Sequence, residues 1–263
     1  MRNRPPPRPR GRPPLPDAEL VADIRVLVAD LPTYGYRRVR ALLRRQAEQT
    51  GRASPNVKRV YRVMKVHGLL LQRGGERHEE RRHDDRVAVN QRNTRWCSDG
   101  LEIACDNGEK VRVAFALDCC DREAMGHVAT TGGITAEDVQ DLMVATVEHR
   151  YGRVNRVPQP IEWLTDNGSC YTARDTRTFA RDSGLVPRTT PVSSPQSNGM
   201  AEAFVRTLKR DYVRVNARPD AQTVIAQLPA WLDHYNEVHP HRALGYRSPR
   251  EFIATTREAL SAN

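Results

Sequence analysis

Apolar side chains recur every three or four residues in three successive segments near the start of the chain, which predicts three short helices. The first begins with Asp17 as its cap, and the third begins with Ser54 as its cap. The inward-facing stripe of the third helix is expected to be Val57, Val60, Tyr61 and Met64. Three short helices in this order predict a small all-α unit of the helix-turn-helix type over residues 17–70.

The polar faces of the second and third helices carry charges of one sign. The second helix presents Arg37 and Arg38, and the third presents Lys58, Arg59 and Arg62. A cationic helix on a three-helix unit is typical of proteins that lay a helix against DNA. We therefore expect these five side chains to contact DNA, and a helical bundle with a solvated basic surface is the alternative.

The pattern changes near residue 95, where strand-like runs replace the helical spacing. The runs "RWCSDGLEIAC" and "KVRVAFALDCC" flank the turn "DNGE", which predicts a β-hairpin. Strands and helices then alternate in the order βββαβαβα, which predicts an α/β domain with a mixed sheet over residues 95–215. Residues 71–94 are poor in apolar side chains and predict a linker, and residues 216–263 predict a C-terminal helical extension.

The charge is distributed unevenly along the chain. Residues 1–95 hold 23 Lys and Arg against 10 Asp and Glu, whereas residues 96–263 hold 19 against 22. A basic front half is typical of modules that bind polyanions. Residues 1–16 contain seven prolines and five arginines, which predicts a disordered arm.

The composition also bears on the compartment. No run of eighteen apolar residues occurs, so no membrane span is expected. Five cysteines without CxxC spacing indicate a reducing compartment and no zinc site. We expect a cytoplasmic, nucleoid-associated protein with no membrane partner.

Three acidic residues fall where strands end or helices begin. Asp99 lies in the first strand of the second domain, Asp166 follows the fourth strand in "TDNGS", and Glu202 opens the helix "MAEAFVRTLKRDY". Reactive groups gather at such positions in open α/β sheets. Three convergent carboxylates would hold Mg²⁺ or Mn²⁺, and two such ions about 3.5–4 Å apart assist phosphoryl displacement. Arg206 and Lys209, one and two helical turns further on, would then point toward DNA.

The residues alone do not single out Asp99. Residues 96–263 contain 22 acidic side chains, and Glu102, Asp118 and Asp121 compete for the first position. Asp99 is selected only by a wider resemblance.

Thirty-five residues separate Asp166 from Glu202, and with Asp99 they resemble the D,D(35)E signature of transposases and retroviral integrases. Further stretches narrow the resemblance: "PTYGYRRVRALLRRQAE", "KRVYRVM", "RWCSDGLEIACDNGEK", "FALDCCDRE", "EWLTDNGSCY", "SPQSNGMAEAFVRTLKRDY" and "HYNEVHPHRALGYRSPREF". Together they resemble the OrfB product of bacterial insertion sequences of the insertion-sequence-3 family, in the subgroup of insertion sequence 2. The similarity covers residues 17–253.

This resemblance implies an RNase H-like catalytic core with a mixed five-stranded sheet. It also implies a metal-dependent DDE transposase that cleaves one DNA strand by water attack and then attacks DNA with the freed 3′-OH, first joining the element's own ends. By position, Asp99, Asp166 and Glu202 match the ligands of two Mg²⁺ or Mn²⁺ ions. Lys209 matches a basic residue that contacts terminal DNA.

The implied partners are the DNA of the element ends and the target, OrfA or an OrfA–OrfB fusion, and further copies of the chain on DNA. The sequence departs from the fused enzyme in showing no zipper-like heptads. Two other functions remain open: a transposase-derived DNA-binding regulator without catalysis, and an RNase H-like nuclease that does not join DNA.

Overall fold

The computed structural model describes residues 17–72, 89–190 and 199–261. The predicted arm at residues 1–16 and most of the predicted linker lie outside the described residues. The chain divides into two compact units, Met1–Gln72 and Arg73–Asn263. The finer boundaries at residues 95 and 215 stay predictions. Within the described ranges, no helix has both the length and the apolar content needed to cross a bilayer.

The first unit consists of the three predicted helices: α1 (Ala18–Asp30), α2 (Tyr36–Gln49) and α3 (Val57–Val66). Each helix turns an apolar stripe inward, and the most deeply buried side chains include Ile24, Val39 and Val60. The helical unit predicted for this part of the chain is therefore confirmed.

The start of α3 differs from the prediction. Asn56, and not Ser54, caps the helix, because its side chain accepts a hydrogen bond from the backbone N–H of Lys58 at 2.8 Å. Val57 and Tyr61, predicted to face inward, are 40% and 42% exposed. The buried residues of α3 are Val60, Val63 and Met64.

The second unit contains a five-stranded sheet and six α-helices among its described residues. The strands are β1 (Arg95–Ala104), β2 (Lys110–Asp118), β3 (Ala124–Thr130), β4 (Ile161–Thr165) and β5 (Leu185–Thr189). The helices are α4 (Ala136–Tyr151), α5 (Ser169–Thr172), α6 (Arg174–Asp182), α7 (Gly199–Leu208), α8 (Ala221–Glu237) and α9 (Pro249–Ser261). A π-helical turn, Lys209–Val213, continues α7.

The sheet has the order β3-β2-β1-β4-β5. Strands β1 to β3 pair antiparallel, whereas β1, β4 and β5 run parallel. The predicted hairpin joins β1 to β2, and Gly108 takes the positive φ of +91° that its turn requires. The mixed five-stranded sheet predicted from the sequence is confirmed.

Apolar side chains cover both faces of the sheet. On one face, Cys97, Leu101 and Phe115 pack with Phe204 of α7 and Leu228 of α8. On the other face, a second apolar cluster combines strand residues with residues of α4, α5 and α6. Because α8 packs in the same cluster as α7, the predicted C-terminal extension contributes to the core of the sheet unit.

Candidate active site and nucleic-acid interface

Asp166 follows the last residue of β4, and Asp99 lies in the middle of β1, the parallel strand that pairs with β4. The pairing of β1 with β4 runs from Arg95 with Glu162 to Cys97 with Leu164. Asp99 and Asp166 each lie two residues beyond the last pair, so they occupy equivalent positions in the register of the two strands. The structure therefore places two of the three predicted carboxylates on neighbouring segments, just beyond the paired part of β1 and β4.

Each aspartate is oriented by a backbone N–H group. Oδ1 of Asp99 accepts a hydrogen bond from Gly100 at 2.8 Å, and Oδ1 of Asp166 accepts one from Gly168 at 2.9 Å. A Cβ at position 168 would lie 3.0 Å from that Asp166 oxygen, so a larger residue there would require the carboxylate to shift. Both aspartates are half-buried.

Glu202 is carried by α7, which packs against β1 and β2. The Phe204 ring lies 4.5 Å from the Phe115 ring, and Phe115 is the cross-strand partner of Asp99. The helix that carries Glu202 is thus anchored beside the strand pair that carries Asp99. Glu202 is 45% exposed and forms the i,i+4 ion pair with Arg206 at 3.6 Å.

The chemistry of this carboxylate set fits a hard divalent cation, since Mg²⁺ and Mn²⁺ prefer oxygen ligands. Across residues 17–72, 89–190 and 199–261, however, no three His, Cys, Asp or Glu side chains stand together as a formed metal-binding group. The structure therefore places Asp99, Asp166 and α7 in one region without gathering the three carboxylates into a ligand set.

The competing acids Asp118 and Asp121 belong to a buried ionic network that sequence reasoning missed. Both are fully buried, and the Arg150 guanidinium lies 3.5 Å and 3.4 Å from their carboxylates. Arg150 also pairs with Glu123 at 3.0 Å, and Arg92 pairs with Asp121 at 2.7 Å. Burial, together with the charge of Asp118, raises the pKa of Asp121. These contacts give Asp118 and Asp121 a structural role in the buried ionic network.

The third competitor, Glu102, is paired on the surface. A hydrogen bond from Lys110 lowers the pKa of Glu102, and the charges of Arg112 and Lys209 lower it further. Lys209 is exposed and opens the π-helical turn, so the regular spacing of α7 ends there.

In the first unit, two of the predicted DNA-contacting arginines are engaged by Asp17. Arg59 Nε and Arg62 Nη2 donate to the two Asp17 carboxylate oxygens, each at 2.8 Å. Asp17 lies at the cap position of α1 but makes no side-chain capping bond, so the predicted cap was wrong. Its carboxylate instead braces α3 against the start of α1.

The remaining predicted contacts differ in exposure. Lys58 and Arg37 are exposed, and Arg37 Nε donates to the Tyr36 hydroxyl at 3.0 Å. Arg38 is half-buried, with its guanidinium 5.2 Å from the centre of the Tyr34 ring.

A mixed sheet in which three antiparallel strands are followed by two parallel ones, with helices on both faces, defines an RNase H-like core of the integrase type. The chain matches the family described as "Integrase core domain" over residues 89–195, and a second family of the same description over residues 183–249. It matches the family described as "HTH-like domain" over residues 15–77.

The chain is 56% identical over 239 residues to the "Transposase InsD for insertion element IS2A/D/F/H/I/K" of Escherichia coli, covering 90% of this chain and 79% of that protein. The same figures hold for the "Transposase InsD for insertion element IS2D" of Escherichia coli strain K12. The chain therefore belongs to the insertion sequence 2 transposases of the insertion-sequence-3 family. It is a DDE transposase, as the sequence predicted.

A solved structure supports the fold. The cryo-EM structure of the simian T-cell lymphotropic virus intasome in complex with PP2A regulatory subunit B56 gamma matches with a TM-score of 0.52 at 14% identity. The match covers 88% of this chain and 73% of that one. The predicted RNase H-like fold is confirmed.

Proposed function

We propose that Asp99, Asp166 and Glu202 are the catalytic carboxylates and together hold two Mg²⁺ or Mn²⁺ ions. The observation that carries this assignment is the register of β1 and β4, in which Asp99 and Asp166 each lie two residues beyond the last backbone pair. The contact between Phe204 and Phe115 supports it, because it anchors α7 beside Asp99. When bound, the ions would stabilise charge on the attacking and leaving oxygens of an in-line phosphoryl displacement.

Glu202 completes the ligand set by rotation of its side chain. Its present partner, Arg206, is 66% exposed, and an exposed i,i+4 pair contributes only about 0.3–0.5 kcal/mol. Releasing Glu202 from Arg206 therefore costs no more than that ion pair. Arg206 is then free to contact the phosphodiester backbone, with Lys209 beside it.

The first unit binds the DNA of the element ends. Its contacts to phosphate come first from Lys58 and Arg37, since both are exposed. Arg62, at 53% exposure, extends this cationic surface, whereas Arg59 at 25% mainly braces α3 through Asp17.

The reaction joins two ends of one element, so we propose that the chain acts as a dimer or larger assembly on paired ends. We also propose that OrfA, or its fusion to this chain, completes end recognition. Both proposals rest on the transposase family of the chain, and neither partner is present in the structure.

A cleavage assay tests the catalytic assignment. Labelled DNA carrying the element ends is incubated with Mg²⁺ and wild type, Asp99→Asn, Asp166→Asn or Glu202→Gln. Loss of a ligand is expected to remove several kcal/mol of transition-state stabilisation, which lowers nicking and joining at least about a hundredfold. Asp141→Asn, an exposed change on α4, is the matched control and should retain wild-type rates.

The same assay separates the alternatives. Nicks without joined products would indicate a nuclease. End binding without any product, both in this chain and in its fusion to OrfA, would indicate a regulator. Full activity in any of the three variants would contradict that residue's role.

A further inference from the structure

Two buried hydroxyl groups meet beside the aspartates. Ser98 Oγ and the Tyr171 hydroxyl are 3.0 Å apart, with Ser98 fully buried and Tyr171 8% exposed. This bond joins β1 to α5 through two residues that are 73 positions apart in sequence.

Each hydroxyl belongs to a residue that is tied to one aspartate. Ser98 precedes Asp99 directly in β1. Tyr171 lies in the short helix that follows Asp166, and its backbone N–H donates to the carbonyl of Gly168 at 3.1 Å. A Cβ at position 168 would touch both Asp166 Oδ1, at 3.0 Å, and the Tyr171 ring, at 3.4 Å. The Asp166 carboxylate and the Tyr171 ring therefore flank the same glycine.

The backbone pairing between β1 and β4 does not extend to the aspartates, since it ends at Cys97 and Leu164. The bond between Ser98 and Tyr171 lies beyond that point. It links the middle of β1 to the segment after β4, beyond the last backbone pair of the two strands.

We propose that Ser98 and Tyr171 are positioning residues whose shared hydrogen bond fixes Asp99 relative to Asp166 for metal binding. This inference rests on the proposed metal-binding role of the two aspartates. A buried bond behind metal ligands sets their spacing before the ion arrives, and the loss of such outer contacts weakens metal affinity.

The electrostatics agree with a neutral, protonated tyrosine. Burial raises the pKa of Tyr171 far above its usual value, and the charges of Asp99 and Asp166 add to the rise. The hydroxyl remains able to donate or accept with Ser98 at neutral pH.

The test uses the full chain as wild type, Tyr171→Phe, Ser98→Ala and the double variant. Tyr151→Phe is the matched control, because its hydroxyl is buried in the described structure without a hydrogen-bond partner. Calorimetry measures the dissociation constant for Mn²⁺, and cleavage assays measure the Mg²⁺ concentration that gives half-maximal rate. Tryptophan fluorescence confirms that each variant is folded.

Each single variant is expected to weaken Mn²⁺ binding about tenfold, the lower end for outer contacts of a metal site. The double variant should lose little more, since both changes break one bond. The half-maximal Mg²⁺ concentration should rise in parallel, whereas Tyr151→Phe should match wild type.

If the folded single variants bind Mn²⁺ within about twofold of wild type, this inference is overturned but the proposed function is not. Losses that add in the double variant would also overturn it, because they would show two independent effects. A wild-type chain that neither binds Mn²⁺ nor cleaves end DNA would contradict the proposed function, and the inference with it.

Discussion

Phe204→Ala is expected to loosen α7 from the sheet and so displace Glu202, which lies two residues earlier in the same helix. The Phe204 side chain is 3% exposed. Its ring contacts the Phe115 ring at 4.5 Å and the Tyr235 ring at 4.8 Å. It therefore joins α7 both to β2 and to α8.

The magnitude follows from burial and ring contacts. Burying a phenylalanine side chain contributes roughly 1.5–3 kcal/mol, and each aromatic pair adds about 0.5–1.5 kcal/mol. We therefore expect Phe204→Ala to cost about 4 kcal/mol, within the range of about 3–5 kcal/mol measured for such core truncations. With a urea dependence of about 2–3 kcal/mol per molar, the unfolding midpoint should fall by roughly 1.3–2 M.

Tryptophan fluorescence during urea unfolding reports on the stability of the second structural unit, because Trp96, Trp163 and Trp231 all lie there. Val144→Ala, an exposed change on α4, is the control and should cost less than about 0.5 kcal/mol. Cleavage is compared at a low temperature where both variants remain folded. A misplacement of about 1 Å can lower the rate about a hundredfold.

A loss below about 1 kcal/mol in Phe204→Ala would refute the docking of α7 against β2 and α8. Full cleavage activity despite the predicted loss of stability would refute the link between this packing and the position of Glu202.

Three further predictions concern charged groups. Arg150→Met leaves buried carboxylates without their cation and should lower the free energy of unfolding by about 3–5 kcal/mol, measured by urea titration; a loss under 1 kcal/mol would contradict the network. Burial alone would raise the pKa of Glu123, but the His149 hydrogen bond and the Arg150 charge hold that pKa below 4.5. The stabilisation that Glu123 contributes is therefore complete above pH 4.5 and is lost as the pH falls through the lowered pKa. Glu123→Gln should flatten the dependence of unfolding free energy on pH in that acidic range. Lys209→Ala should reduce the slope of log affinity for end DNA against log salt by about 0.9 without changing stability, and an unchanged slope would exclude a phosphate contact.

Much of the fold could be predicted from local patterns. The hairpin between β1 and β2 follows from two strand-like runs around "DNGE", and the order of strands and helices follows from the change of period. The start of α3 was harder, because Ser54 and Asn56 are both good caps two residues apart. Only the structure shows that Asn56 accepts the capping hydrogen bond.

Contacts between distant residues could not be predicted in the same way. The sequence predicts that Asp17 caps a helix, but its carboxylate pairs with Arg59 and Arg62, which lie 42 and 45 residues further along the chain. Nothing in the spacing of Asp118 indicates its pairing with Arg150, 32 residues later. Side-chain partners of this kind depend on tertiary packing, which a local pattern does not contain.

The candidate site likewise combines features that the sequence predicts with contacts that only the structure shows. Asp99 was selected over its competitors by resemblance to a family and not by its surroundings in the sequence. The register of β1 with β4 supports that choice, since Asp99 and Asp166 each lie two residues beyond its last pair. The hydroxyl bond between Ser98 and Tyr171 had no sequence signal, because it joins β1 to the short helix after β4 through two residues 73 positions apart.

The central claim is that Asp166 and its two partner carboxylates bind the catalytic metal ions. Changing the metal preference of Asp166, a proposed ligand, tests this claim most directly. Asp166→Cys replaces a carboxylate with a thiolate, which binds Mg²⁺ poorly and softer ions better. If Asp166 is a metal ligand, cleavage of element-end DNA should be lost in Mg²⁺ and partly recovered in Mn²⁺. Cleavage at the wild-type rate in Mg²⁺, or an equal loss in both metals from a folded, DNA-binding variant, would contradict metal ligation by Asp166.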